Sequence, residues 1–247
     1  MWRFYYTIVR NIFRLPKYIA GMRRRADQPE VYSEEDCHAY IQEIVSLMQR
    51  TGHVRTEGFG MEKLPSDGGY MLYPNHQGKY DAYGIISAHA KPCTVVMDKD
   101  KSYTVFIREI IDMLRGKRMD IHDTRQALTI IKEITEEVAV GRRYILFPEG
   151  GYGKDQKNTL GEFKPGCFKI VLRSKVPIVP VALIDSYKVY NSWKLTPVTT
   201  QVHFLDPIYY EEYKDMKTQQ IASMVKARIQ QKIDEVTMGK VVSAVEL

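Results

Sequence analysis

Cysteine is scarce in this 247-residue chain: Cys37, Cys93 and Cys167 are odd in number, widely spaced and without any metal-ligand pairing. That excludes a disulfide framework and makes a reducing, cytosolic compartment the simplest expectation. Long apolar runs are missing as well. Nowhere do about 18 apolar residues follow one another, so no spanning helix is expected, and arginines interrupt what would be the apolar region of a secretory signal. Internal repeats and low-complexity segments are absent. What remains is a chain of a length that suits one α/β domain with a sizeable core and an attachment. Its acidic residues are missing from one place. Lys and Arg total 36 against 30 Asp and Glu, a net charge of +6, yet residues 1–25 carry Arg3, Arg10, Arg14, Lys17, Arg23, Arg24 and Arg25 and no acid.

At roughly 100° per residue, Arg3, Arg10, Arg14 and Lys17 fall within about 60° of one another on a helical wheel. Trp2, Phe4, Tyr5, Tyr6, Ile8, Val9, Ile12, Phe13 and Leu15 fill the rest. A basic stripe on an aromatic and aliphatic body suits a helix lying in the headgroup region of an anionic bilayer, with Pro16 kinking or ending it. The competing readings are a helix packed on the domain and a basic cluster that binds nucleic acid. The aromatic content and the narrow stripe favour the membrane, and no nucleic-acid partner is expected. Residues 1–30 are therefore read as a membrane-associating segment and 31–247 as a single domain.

After a polar linker at 26–32, Ser33-Glu34-Glu35-Asp36 has the form of an N-cap with an acidic first turn, opening a helix to about Met48. Strands are expected at Val54–Gly58, Gly69–Tyr73, Cys93–Met97, Tyr144–Phe147, Ile178–Leu183 and Thr200–Leu205. Helices are expected from Tyr80, at Val105–Leu114, Thr124–Ala139, Gly166–Arg173 and Thr218–Val236, the last with Ile221, Val225, Ile229 and Ile233 at helical spacing. Strand and helix alternate, which argues an α/β fold with a mostly parallel central sheet flanked by helices, and an N-terminal amphipathic membrane-associating helix attached.

Two strand ends carry chemistry. The first runs into Pro74-Asn75-His76-Gln77-Gly78-Lys79-Tyr80-Asp81. With His76 in the turn and Asp81 in the first helical turns, the carboxylate reaches back to one ring nitrogen, fixes the tautomer and leaves the other nitrogen as a base for a hydroxyl. The alternative is that Asp81 caps its own helix and His76 is an ordinary turn residue. The second strand end runs into Phe147-Pro148-Glu149-Gly150-Gly151-Tyr152-Gly153-Lys154. In a parallel sheet it shares an edge with His76, its glycines let backbone N–H groups approach an anion, and Glu149 adds a carboxylate. A plain glycine-rich connection is the alternative. His53, His89, His122 and His203 have no partner spacing and no metal is expected of them. Cys167 reads as a small packed thiol. Most of the seventeen tyrosines read as packing residues, with Tyr80 and Tyr152 at the border of an entrance to these strand ends.

Taken together, Asn-His-x-x-x-x-Asp at 75–81, Phe-Pro-Glu-Gly at 147–150 and Val-Pro-Ile-Val-Pro-Val at 176–181 stand in the order and spacing of the glycerolipid acyltransferases. Over roughly Val54–Pro207 the chain resembles the bacterial lysophosphatidic acid acyltransferases of the PlsC type. That resemblance implies a peripheral membrane enzyme on the cytoplasmic face. It would move an acyl group from acyl-carrier protein or coenzyme A to the free hydroxyl of lysophosphatidic acid, giving phosphatidic acid. By the same resemblance His76 is the general base, Asp81 orients it, and Glu149 and Gly150 help place the acceptor or the developing oxyanion. No covalent intermediate, metal or cofactor is implied beyond the thioester donor itself.

The pattern departs from the family at two places. Gly151 and Tyr152 stand where Thr-Arg is common, and Ile121 follows Met119-Asp120 where an Arg is usual. Other cations must then hold a phosphate: the candidates are Arg118, Arg125, Lys154 and Lys164, with Lys99 and Lys101 behind them, and Lys164 and Arg125 are chosen. The missing arginines keep a different acceptor in view, glycerol 3-phosphate or another lysolipid. A non-catalytic membrane lipid-binding protein is the further alternative, and it would have no need of the base.

Overall fold

The structure, a computed structural model, describes residues 2–153, 157–191 and 195–245, except the side chains of 191 and 240–245. Its helices and strands are α1 (Trp2–Arg10), α2 (Leu15–Asp27), α3 (Glu34–Gly52), β1 (Val54–Phe59), β2 (Tyr70–Pro74), α4 (Asp81–Ala88), β3 (Thr94–Asp98), α5 (Ile107–Met113), β4 (Lys117–Met119), α6 (Thr124–Ala139), β5 (Arg143–Ile145), α7 (Lys169–Ser174), β6 (Ile178–Ile184), α8 (Lys188–Asn191), β7 (Val198–Phe204), α9 (Tyr210–Tyr213) and α10 (Thr218–Val245). Local chemistry explains the boundaries. Ser33 and Asp36 form the reciprocal cap expected before α3, the Asp36 N–H donating to Ser33 Oγ and the Ser33 N–H to the Asp36 carboxylate. Asp123 accepts the first N–H groups of α6. Pro165 opens a short 3₁₀ turn, so the stretch read as one helix from Gly166 is a 3₁₀ turn followed by α7.

Seven strands form one sheet in the order β1-β7-β6-β2-β5-β3-β4. The pairs β2–β5, β2–β6, β3–β5 and β3–β4 are parallel. β2 and β6 are buried at every position, as strands covered on both faces must be. Core residues from α2–α5 and α8 cover one face, and residues from α6, α7, α9 and α10 the other. Ile221, Val225, Ile229 and Ile233 of α10 are all buried, as their spacing requires.

One reversal matters for the site. β7 pairs antiparallel with β6 and parallel with β1, so β1 and β7 run against the other five strands. The segments that precede β1 and β7 therefore lie at the edge where β2, β5, β3 and β6 end.

The N-terminus differs from its expected form. The helix breaks at residues 11–14, not at Pro16, which sits in the first turn of α2 where its missing N–H has no partner to lose. Arg3 does not belong to an outward basic stripe. It is fully buried, donating to Gly52 O at 2.6 Å and Thr196 O at 2.8 Å, because the last carbonyls of α3 lack helical partners and carry the negative end of its dipole. Thr7 and Asn11, one and two turns on, continue this inner polar face, Asn11 Nδ2 donating to Thr7 O and Thr51 Oγ1. The apolar residues face out instead: Trp2, Tyr5, Val9, Ile12 and Phe13 are at least half exposed, Phe13 at 97%.

Candidate active site

Because β2 and β5 are parallel neighbours, the turns that follow them meet. The backbone N–H of His76 donates to Glu149 Oε1 at 2.8 Å, and Glu149 Oε2 accepts the N–H of Gly161 at 2.9 Å. Glu149 thus ties three segments together through backbone groups and fixes where His76 starts.

His76 Nδ1 lies 2.7 Å from Asp81 Oδ2, with the two side chains 17% and 0% exposed. A carboxylate only accepts, so Nδ1 carries the proton and Nε2 the lone pair. Asp81 is the first residue of α4 and caps the turn before it, not its own helix. Its Oδ2 also accepts the N–H groups of Gln77 at 2.5 Å and Gly78 at 2.9 Å, and its Oδ1 accepts Ser186 Oγ at 2.5 Å. Five residues separate His76 from Asp81, and this folded-back turn is what lets them touch.

The turn is locked against the end of β6. Asn75 exchanges two hydrogen bonds with the backbone of Leu183, copying a ladder pair, and Gln77 donates to Leu183 O while accepting the Ser186 N–H. Asn158 accepts from Gln77 Nε2 and donates to Asp185. Sequence reasoning gave Asn75 and Gln77 no role of their own and did not single out Asn158 or Ser186. A usable signal existed for Ser186, since a strand parallel to β2 that ends in Ile184-Asp185-Ser186 delivers its next residues to the same edge.

Aromatic rings enclose the imidazole. Phe147 stacks on it with ring centres 4.1 Å apart at 27°, and Tyr152 meets it at 4.6 Å and 73°. Burial, then the nearby Asp81, push the Tyr152 phenol above its ordinary pKa, so it is a neutral hydroxyl. Beside the dyad a depression is lined by Gly78, Lys79, Tyr80, Tyr152, Ser186, Tyr187 and Tyr190. Tyr80 lines it while only 2% exposed, its hydroxyl bonded to Gln49 and Thr56.

The remaining candidates separate. Gly150 has φ +68°, and a Cβ there would stand 2.6 Å from Lys164 Nζ, so the Lys164 side chain lies across this glycine, next to Glu149. The Gly150 N–H donates to Phe147 O within the turn, so its contribution is room for the lysine and not a donor aimed outward. Arg125 is exposed on α6, which follows β4, three strand positions from β2. Strand spacing puts β4 itself about 14 Å from β2 across the sheet. Arg118 is engaged by Asp112 and Ser102, and Lys99 faces Asp120. Lys154 lies outside the described residues. Cys167, half-buried, donates its thiol to Lys164 O, and burial raises its pKa.

The strand-end His–Asp pair and the Phe-Pro-Glu-Gly turn joined to it both lie within a segment that matches a known family. Residues 53–184, more than half of the chain, match the family model described as Acyltransferase, and the chain belongs to that family. Among curated relatives, the chloroplastic 1-acyl-sn-glycerol-3-phosphate acyltransferase of Brassica napus is 28% identical over 157 residues, covering 62% of this chain and 44% of the relative. The enzyme of that name from Salmonella typhimurium is 25% identical over 185 residues, covering 72% and 75%. The match spans about half the length of several of these relatives, the Saccharomyces cerevisiae one included at 56%. The crystal structure of PlsC, the 1-acyl-sn-glycerophosphate acyltransferase of Thermotoga maritima, shares the fold, with a TM-score of 0.74 over 96% of this chain and 98% of that one at 18% identity.

Proposed function

We propose that this protein transfers a fatty acyl group from acyl-carrier protein or coenzyme A to the free hydroxyl of lysophosphatidic acid, forming phosphatidic acid at a membrane surface. The observation that carries the reading is the His76 Nδ1–Asp81 pair at 2.7 Å inside the family-matched segment. In this scheme His76 Nε2 takes the acceptor's hydroxyl proton as its oxygen attacks the thioester carbonyl, and Asp81 stabilises the imidazolium. The tetrahedral intermediate then collapses, the C–S bond breaks, and the leaving thiolate takes the proton back. Glu149 holds the His76 backbone, and Lys164, its amine beside Gly150, is the cation assigned to the acceptor's phosphate. Arg125, on the helix that follows β4, is the second candidate for that phosphate, and Lys164, beside the Glu149 turn, is preferred to it.

Peripheral binding to the cytoplasmic face fits the outward apolar face of α1 and its neighbours. Arg3 ties α1 to Gly52 and Thr196, which precede β1 and β7 at the edge that carries His76. Trp2, Tyr5, Val9, Ile12 and Phe13 then meet the bilayer beside the site, with Arg10, Arg14 and Lys17 for anionic headgroups. No helix of the described residues is long and apolar enough to cross a membrane.

Tyr152 at the family's usual arginine position favours one second reading, transfer to another lysolipid or to glycerol 3-phosphate. The test is transfer of labelled acyl groups from each thioester on liposomes, with phosphate-bearing and phosphate-free acceptors, comparing wild type with His76→Ala. Phosphatidic acid formed by wild type and lost in a folded, liposome-bound variant supports the main reading. Activity confined to acceptors other than lysophosphatidic acid replaces it.

A further inference from the structure

The imidazole of His76 is held by a hydrogen bond at one nitrogen, Nδ1 to Asp81. The torsion of a ring about its Cβ–Cγ bond is broad and roughly two-fold, so one bond resists a ring flip only in part. A flip puts carbon where Nδ1 stood and turns Nε2 away from an incoming hydroxyl. Packing must supply the rest of the restraint. Phe147 provides a nearly parallel wall at 4.1 Å and Tyr152 a nearly perpendicular one at 4.6 Å. Both belong to the segment whose Glu149 already anchors the His76 N–H, so backbone and ring are set by one element.

From this geometry we infer that Tyr152 is a positioning residue for His76, its ring completing with Phe147 the wall that holds Nδ1 on Asp81 and Nε2 toward the acceptor. The inference rests on the base role given to His76 above. An arginine at this position would offer a flexible, hydrated cation, whereas tyrosine is a rigid plate with two torsions. This chain has a wall for the base where the common pattern has a charge for the substrate, and a cation from a later segment, Lys164, lies across Gly150. Tyr152 is 39% exposed and its hydroxyl stays neutral, so the ring and not a charge is what it presents.

Steady-state transfer on liposomes is compared for wild type, Tyr152→Leu and Tyr152→Phe, alongside the rate at which diethyl pyrocarbonate modifies His76, read by peptide mass spectrometry. Expected for Tyr152→Leu is a fall in kcat of about tenfold with KM for the acceptor within about twofold, since small misplacements of a reacting group are costly. Tyr152→Phe restores kcat, and modification of His76 speeds up in the Leu variant alone. An unchanged kcat in Tyr152→Leu overturns the inference. So does a raised KM at constant kcat, which makes Tyr152 an acceptor ligand, or a Phe variant as impaired as Leu, which makes the hydroxyl the active part. Should wild type transfer to no acceptor, the proposed function falls. The modification rates still decide the positioning: equal rates in wild type and Tyr152→Leu refute it, and a faster rate in Leu alone upholds it.

Discussion

The substitution Asp81→Asn separates the two things the carboxylate does, orienting His76 and carrying charge. In the native site Oδ2 accepts from His76 Nδ1, Gln77 N and Gly78 N, while Oδ1 accepts from Ser186 Oγ. An amide has one oxygen, and two backbone N–H groups cannot turn into acceptors. The amide oxygen must therefore take the Oδ2 place and the NH2 group the Oδ1 place, where the Ser186 hydroxyl rotates to accept it. His76 keeps its tautomer and loses only the negative partner for its imidazolium. A hydrogen bond between charged groups exceeds a neutral one, and at an effective dielectric near 20 the charge loss costs roughly 2–3 kcal/mol in the transition state. That lowers kcat about 30- to 150-fold. The opposite amide orientation puts NH2 against Nδ1, protonates Nε2 and costs about 10⁴-fold, the loss known for a wrong tautomer in serine-protease triads. Initial rates of Asp81→Asn on liposomes, with circular dichroism to confirm folding, distinguish these. An unchanged kcat refutes the His–Asp reasoning, and a 10⁴-fold loss refutes the pinned amide.

Three further outcomes are expected. Arg3→Met removes the buried donors to Gly52 O and Thr196 O and lowers stability by roughly 2–4 kcal/mol in urea titration; a change near zero means α1 is not tied down by this residue. His89 is fully buried, receives the Tyr70 hydroxyl at Nε2, and has its pKa lowered to about 4 chiefly by burial. Its folded value lies below the unfolded one of about 6.5, so the stability it confers is present at neutral pH and lost as pH falls from 6.5 toward 4. Between pH 7 and 5 that is about 2 kcal/mol, to be read as a urea-midpoint shift that is smaller in His89→Gln; a flat wild-type profile contradicts it. Lys164→Ala raises KM for a phosphate-bearing acceptor about tenfold, a loss of the order of one charged hydrogen bond, while Arg125→Ala leaves it unaltered. The reverse result moves the phosphate to the far side of the sheet.

The alternation of strands and helices, the cap at Ser33 and the stripe of α10 were legible because each depends on neighbours in sequence: apolar period, local hydrogen bonds and turn residues decide them. The pairing of His76 with Asp81 was left open by the local spacing, and only the resemblance favoured it; the folded-back turn brings the two together. The N-terminal segment misled for a physical reason. Its wheel shows a basic stripe whichever way it faces, and only the orphan carbonyls at the end of α3, with Thr196, turn Arg3 inward and the aromatics outward. The reversal of β7 was equally invisible, because a strand's direction depends on its connections and leaves no mark in its own residues.

At the site, the amino-acid sequence by itself determined which groups are available: an imidazole, a carboxylate five residues on, a glutamate after a second strand, and a tyrosine where a guanidinium is usual. Only the tertiary structure decided their assignments. It set Glu149 on the His76 backbone, laid Lys164 over Gly150, put Arg125 on the helix after the edge strand β4, and brought Ser186 to Asp81 across 105 residues of sequence. The reason is that residue type and local spacing are written along the chain, whereas a contact between strand ends depends on which strands are neighbours in the sheet.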